Sequence, residues 1–252
     1  MNRPHLTTIM TAIASLVFSY SSHANERYVA LIDLPQAKVQ IQTTQPVRLS
    51  DVLQTAQART TLHPYTEGSK LFNLDKQAQI DRIKEESIQS LNRLITNPEY
   101  ERLATSLLTM VKSKQYAYRE LVSLDFDQIR LDNTQNPLLS GHYQLSFMTR
   151  PETVDIVGAI TEPMRANFAA DLTVTSYLQL ATPRVGANKS YAWVISPDGH
   201  CAKVGIGYWN KEHTTVQPGS LIFVGLEDSL NRDFPSLESN LITLLKSTQE
   251  ML

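Results

Sequence analysis

The sequence contains a single cysteine, Cys201, among its 252 residues. A lone cysteine cannot form a disulfide within the chain. In an oxidising compartment such a residue is most safely a small buried side chain. We therefore expect Cys201 to pack inside the fold rather than to act as a reactive thiol.

The chain also lacks an excess of positive charge. Its 23 lysines and arginines face 25 aspartates and glutamates, which gives a formal net charge of −2, and no basic run is present. Proteins that bind nucleic acids or anionic lipid surfaces use clustered Lys and Arg to neutralise phosphate groups. The composition therefore argues against both of these partners.

The signatures of common enzyme classes are missing. The chain has no G-x-S-x-G, H-E-x-x-H or C-x-x-C motif and no phosphate-binding loop. Its histidines after residue 24 do not form a pair with metal-ligand spacing; they are His63, His142, His200 and His213. The sequence therefore predicts no metal site and no cofactor.

The first 24 residues have the pattern of a secretory signal peptide. Arg3 provides positive charge, LTTIMTAIASLVF is apolar, and small residues at Ser22 and Ala24 suit a signal peptidase. A membrane anchor is the weaker interpretation, because a bilayer span needs roughly 20 apolar residues. We expect cleavage after Ala24 and no integral membrane segment in the mature chain.

The first half of the chain alternates strand-like and helix-like segments. YVALIDL and KVQIQ predict a β-hairpin, and DVLQTAQARTTL after Ser50 predicts a helix. Over residues 73–114, apolar side chains recur every three or four positions, with a break at Asn97-Pro98. This pattern predicts a helical hairpin. Because strand-like segments flank it, the hairpin is expected to be an insertion.

The second half is mostly strand-like. QIRL predicts a strand, and GHYQLSFMTRPETVDIVGAI, residues 141–160, predicts a hairpin. YAWVISPDGHCAKVGIGYWN, residues 191–210, predicts another hairpin, whose turn chemistry explains Asp198 and His200. TVTSYL suggests a short helix and SLIFVGL a last strand.

The order hairpin, helix, further strands occurs twice, which is typical of a sheet that wraps one helix. We therefore predict an α+β fold of two tandem β-grasp domains. Residues 25–138 would form the first domain with its helical insertion, residues 139–230 the second, and residues 231–252 a C-terminal amphipathic helix. The apolar stripe of that helix needs a partner surface. This surface is either the helix's own domain or another protein, and the residues proposed to dock are Leu237, Leu241, Leu244 and Leu245.

Several residues are candidates for binding or chemistry. Asp125 and Asp127 would share one face of a strand, where paired carboxylates bind cations or cleave glycosidic bonds. Arg119 and Arg130 lie nearby, and an arginine in a cleft grips carboxylates with two hydrogen bonds. The ring of Trp209 could stack on a sugar. For each of these residues a structural or surface role is the alternative.

Taken together, several stretches resemble the GfcC family of capsule and exopolysaccharide biosynthesis proteins. They are SLDFDQIRL, LSGHYQL with RPETVDIVGAI, SPDGH, GYWN with PGSLIFV, and the closing helix, so the resemblance covers the mature chain. It implies a periplasmic protein with two β-grasp domains, similar to the ligand-binding domains of outer-membrane polysaccharide exporters. It also implies an arginine in a cleft of the first domain, for which Arg119 is the counterpart and Arg130 the alternative.

The leading hypothesis is a non-enzymatic accessory protein of polysaccharide assembly or export. Its partner would be a glycan, an outer-membrane exporter or another envelope assembly protein. The alternative is a polysaccharide-modifying enzyme that uses Asp125 and Asp127. A third hypothesis is a stand-alone glycan-binding protein that relies on an exposed Trp209.

Overall fold

The computed structural model describes residues 30–35, 39–59 and 64–249. The predicted signal peptide, residues 1–24, lies outside this part of the chain. No helix within the described ranges is long and apolar enough to cross a membrane.

The described chain folds into strands and helices that alternate along its length. The strands are β1 (Ala30–Leu34), β2 (Val39–Thr43), β3 (Val47–Arg48), β4 (Lys70–Asn73), β5 (Arg119–Glu120), β6 (Leu138–Leu139), β7 (Gly141–Ser146), β8 (Thr153–Gly158), β9 (Met164–Asn167), β10 (Tyr191–Ile195), β11 (Cys201–Gly205) and β12 (Leu221–Val224). The helices are α1 (Leu49–Arg59), α2 (Gln77–Ile95), α3 (Glu101–Ser113), α4 (Phe126–Leu131), α5 (Val174–Leu178), α6 (Asp228–Asp233) and α7 (Leu237–Lys246).

The two large sheets have the same topology. The first sheet has the order β2-β1-β7-β4-β5 and the second the order β11-β10-β12-β8-β9. In each sheet, an antiparallel hairpin precedes a helix. The first strand of this hairpin pairs in parallel with the strand of the sheet that comes last in the chain. Numbered within its own unit, each sheet therefore has the order 2-1-5-3-4. This arrangement confirms the α+β class and is compatible with tandem β-grasp domains.

One predicted hairpin is divided between the two sheets. Residues 141–160 do contain two strands, but β7 pairs with β1 and β4 in the first sheet. Strand β8 pairs instead with β9 and β12 in the second sheet. The prediction was wrong because alternation identifies a strand but not its partner. The boundary between the units therefore lies after Ser146, not at residue 138.

The helical hairpin predicted over residues 73–114 is present as α2 and α3. Its buried side chains pack into the core of the second sheet, although its sequence lies between two strands of the first. Helix α1, by contrast, packs within the first unit through side chains such as Leu49, Val52 and Leu53. The insertion thus joins the two units.

The C-terminal helix α7 packs on its own chain. All four leucines proposed as a docking face are buried in the core of the second sheet and the helical hairpin; they are Leu237, Leu241, Leu244 and Leu245. This face is therefore unavailable to a partner in this conformation, which corrects the docking interpretation. The apolar stripe needed a partner surface, and α2 together with the second sheet provides it.

Candidate functional site

A cavity of about 540 Å³ lies where the edge of the first sheet meets a turn of the second. Strand β5, the segment after it, α4 and the residues after α4 provide most of the wall. The segment before β4 and the turn between β10 and β11 provide the remainder. We call it the Arg119 cavity. Its lining residues are Thr66, Glu67, Ser69, Arg119, Leu121, Val122, Ser123, Leu124, Asp125, Gln128, Thr134, Gln135, Pro137, Asp198 and His200.

Arg119 lies between the two units. Its Nη2 donates a hydrogen bond of 2.6 Å to the carbonyl oxygen of Pro197 in the turn of the second unit. Gly199 in the same turn has a φ of +91°, and a Cβ at this position would lie 2.6 Å from Leu121 Cδ2 and 3.2 Å from the guanidinium carbon of Arg119. Glycine is favoured here both by the positive φ and by the close approach of these two side chains.

The environment of Arg119 changes its electrostatics without removing its charge. Burial lowers the pKa of the guanidinium to about 10, and the carboxylate of Asp198 acts in the opposite direction. The side chain therefore stays positive near neutral pH. A partly desolvated guanidinium is well suited to an anionic or hydroxyl-rich ligand, because its donors are strong and fixed in geometry.

The β10–β11 turn contributes more than was predicted. The sequence explained Asp198 and His200 by turn chemistry alone, but both side chains line the Arg119 cavity. Asp198 accepts the backbone N–H of His200 at 2.9 Å, and its second oxygen lies 2.9 Å from His200 Nδ1. The only sequence signal for this role was the presence of two chemically active side chains at one turn.

Asp125 and Asp127 have different structural roles. The segment predicted as strand QIRL belongs to helix α4, and Asp125 caps that helix by accepting the backbone N–H groups of Asp127 and Gln128. Asp125 also lines the cavity. The Asp127 side chain is 81% exposed and forms an ion pair of 3.1 Å with Arg130. A helix cap and a surface ion pair are structural roles, so this geometry does not favour paired acid–base chemistry.

Arg130 and Trp209 are not part of the cavity wall. Arg130 is exposed and paired with Asp127, whereas Arg119 lines the cavity. Trp209 is 75% exposed beside a fully exposed Tyr208, on the segment after β11. Its predicted role as a sugar platform stays a prediction. Cys201 is partly buried, and burial raises the pKa of its thiol.

The remaining lining groups are mostly neutral and polar. Apart from the acidic Glu67, they are hydroxyl and amide side chains together with Leu121, Val122, Leu124 and Pro137, and Leu121 is 57% exposed. Within the described ranges, no group of three or more His, Cys, Asp or Glu side chains is arranged to hold a metal. The cavity therefore offers hydrogen-bond donors, acceptors and an apolar edge, which is the chemistry that sugar rings use.

Two family models match the chain. Residues 30–150 match "Capsule biosynthesis GfcC, N-terminal", and residues 162–249 match "Capsule biosynthesis GfcC C-terminal". The first match ends soon after β7, where the first sheet ends. The chain is also similar to a protein of Escherichia coli (strain K12) described as "Uncharacterized protein YjbG", with 38% identity over 130 residues. That match covers 52% of this chain and 53% of the relative, so it spans about half of each.

Proposed function

The chain belongs to the GfcC family of capsule biosynthesis proteins, and on this premise we propose a periplasmic, non-enzymatic accessory protein that binds polysaccharide. Family membership indicates a role in capsule or exopolysaccharide assembly. Our proposal adds the compartment, the mode of action and the place of binding. A stretch of the polysaccharide would occupy the Arg119 cavity while it passes to the assembly machinery.

The observation that carries the proposal is the position of Arg119. A charged, partly buried guanidinium lies on the wall of a cavity of about 540 Å³, and that cavity lies between the two units. Ligand sites commonly lie at domain interfaces and combine a few placed polar groups with apolar walls. A volume of this size can accommodate one or two sugar rings.

The lining groups can be assigned to parts of a sugar. The Asp125 and Asp198 carboxylates can accept hydrogen bonds from sugar hydroxyls, and Arg119 can donate to ring or substituent oxygens. Leu121 provides an apolar contact for a ring face.

The test is a titration with fragments of the producing cell's own polysaccharide, followed by NMR or calorimetry. Arg119→Gln keeps a polar side chain but removes the charge and the fixed fork of donors. We expect affinity to fall on the order of tenfold, because a hydrogen bond to a charged group is lost. Arg130→Gln is the matched control, since Arg130 is exposed outside the cavity, and it should bind like the wild type. Equal binding by all three proteins would rule out the Arg119 cavity.

A further inference from the structure

A second, smaller cavity also borders Arg119. Its volume is about 50 Å³, and we call it the inner compartment. Arg119 lines both cavities, so it forms their shared wall. Four of the residues that line the inner compartment are basic and one is acidic; they are Lys70, Lys114, Arg119, Lys246 and Asp155.

Lys70 is a buried ammonium in this compartment. It projects from β4 with only 8% of its surface exposed, and its Nζ donates a hydrogen bond of 2.8 Å to the carbonyl oxygen of Thr248. In the described part of the chain, no carboxylate lies within ion-pair distance of this Nζ. A buried charge without a counter-charge is costly, so such groups are normally paired or bound to a ligand.

The acidic residue in the compartment is already committed to another partner. Asp155 accepts hydrogen bonds from Arg165 Nε at 2.7 Å and from Arg165 Nη2 at 3.3 Å. Both carboxylate oxygens of Asp155 are therefore paired with Arg165. The buried positive charge of Lys70 is therefore not offset by the carboxylate nearest to it in the wall.

We propose that the inner compartment binds a compact oxyanion, a carboxylate or phosphate group carried by the sugar in the Arg119 cavity. This inference rests on the proposed function and adds to it that the polysaccharide is acidic. Arg119 would hold the anion from the side of the outer cavity, and the Lys70 ammonium from the inner side. Lys114 and Lys246 add positive potential around it.

The dimensions suit a substituent rather than a sugar ring. A single buried water needs roughly 10–15 Å³ of cavity volume, so a cavity of about 50 Å³ corresponds to only a few waters. A carboxylate or phosphate is of that size. The ring itself would stay in the larger cavity, with its charged group directed past Arg119.

Protonation of Lys70 links binding to pH. Burial, together with the positive charges of Arg119 and Lys114, lowers the pKa of the Lys70 amine to about 7. A bound anion favours the charged amine and therefore raises this pKa. The other charged groups around the compartment are Lys246 and the Asp155–Arg165 pair. Anion binding should thus weaken as the pH rises through about 7.

The experiment uses glucose, glucuronate and glucose 6-phosphate as probes, which differ in the group at one carbon. The Lys70 side-chain NMR signal of ¹³C-lysine-labelled protein reports its pKa, and Lys70→Met assigns the signal. We expect an acidic probe to raise the pKa of Lys70 and to bind on the order of tenfold more tightly than glucose. Lys70→Met should remove that preference, while the exposed control Lys112→Met should keep it.

Each outcome decides between the two proposals. A response to glucuronate alone identifies a carboxylate, and a response to glucose 6-phosphate alone identifies a phosphate. If all three probes bind alike in the Arg119 cavity and the Lys70 signal does not change, the acidic-group inference is overturned and glycan binding stands. If no probe perturbs signals from either cavity, both proposals fail. Because the pKa is read on the wild-type chain, a poorly folded variant cannot hide the result.

Discussion

The two sheets share a topology but differ in how they are buried. In β1 of the first sheet, buried and half-exposed residues alternate, whereas β8 of the second sheet is buried continuously after its first residue. Strand β12 beside it is buried in the same way. The first pattern is that of a sheet with one covered face, and the second that of a sheet covered on both.

The difference arises from where the helices pack. Helix α1 covers one face of the first sheet, while the second sheet packs with α5 and also with α7 and the helical hairpin. Strand β4 is the exception in the first sheet, because Lys70 on its second face contacts Thr248 beyond α7. The same topology can thus serve as a half-open layer or as one whose central strands are enclosed, depending on which segments pack against it.

Neighbouring residues in the two sheets test this comparison most strongly. Ile156→Ala and Ile32→Ala should each destabilise the protein by about 2–5 kcal/mol, because both side chains are fully buried. Val157→Ala should also cost roughly 2 kcal/mol, since the next residue of β8 is buried on the opposite face. Leu31→Ala should cost no more than about 1 kcal/mol. Chemical denaturation measures all four, and a Leu31 effect as large as that of Ile32 would contradict the one-sided first sheet.

The pH dependence of stability tests the role of Lys70 at the junction between the units. Its folded pKa of about 7 lies below its ordinary value of 10.5, so the unfolded state binds more protons between these two values. Burial of the charged Lys70 therefore has its full destabilising effect below about pH 7. This destabilisation decreases as the pH rises toward 10.5. We expect Lys70→Met to be more stable than the wild type by a few kcal/mol at about pH 6.

The measurement is denaturation of both proteins across this pH range, without acidic sugars. The advantage of Lys70→Met should shrink as the pH rises. An advantage that is independent of pH would mean that Lys70 is charged throughout and that its burial costs less than the geometry indicates.

Glu238 tests the attachment of α7 to the second sheet. Its two carboxylate oxygens accept hydrogen bonds from Trp193 Nε1 at 2.9 Å and from the backbone N–H of Leu226 at 2.5 Å. Glu238→Ala should cost about 2 kcal/mol, because these two donors and a longer one, Asn231 Nδ2 at 3.3 Å, lose their acceptor. Glu238→Gln retains one acceptor oxygen and should cost about half as much. Equal, negligible losses in thermal denaturation would show that packing alone holds α7 in place.

Asp125 and Asp127 provide the smallest contrast, on the open side of the first unit. Asp125→Ala removes a helix cap and should cost about 1 kcal/mol. Asp127→Ala breaks only an exposed ion pair and should change stability by less than about 0.5 kcal/mol. Urea titrations distinguish the two, and a larger effect at Asp127 would reverse the roles assigned to them.

Local patterns were sufficient to predict much of the fold. The helical hairpin, the short helix at α5, the β10–β11 hairpin and the final strand all lie where periodicity and turn residues predicted them. Arg119 was also singled out from the sequence, through its place beside a recognisable motif, and it lines the cavity, while its role in binding stays a prediction. These features depend on neighbouring residues in the chain, so a single sequence contains their signal.

Other features could not be predicted, because they depend on contacts between distant segments. The partner of β7 is β1, more than a hundred residues earlier, and the backbone N–H of Ser50 in α1 is bonded by the side chain of Asn136. No local pattern of the sequence singles out Lys70. Only the packing of β4 against the segment after α7 makes it a buried cation beside Arg119.

The sequence by itself therefore determined most of the secondary structure, its order and the family, because these depend on local periodicity, turn chemistry and motif order. The tertiary structure alone decided that β7 and β8 separate, that α7 is enclosed and that Asp198, His200 and Lys70 meet at Arg119. The physical reason is that burial and electrostatic environment are properties of surfaces brought together by folding. No short stretch of this chain contains both sides of such a surface.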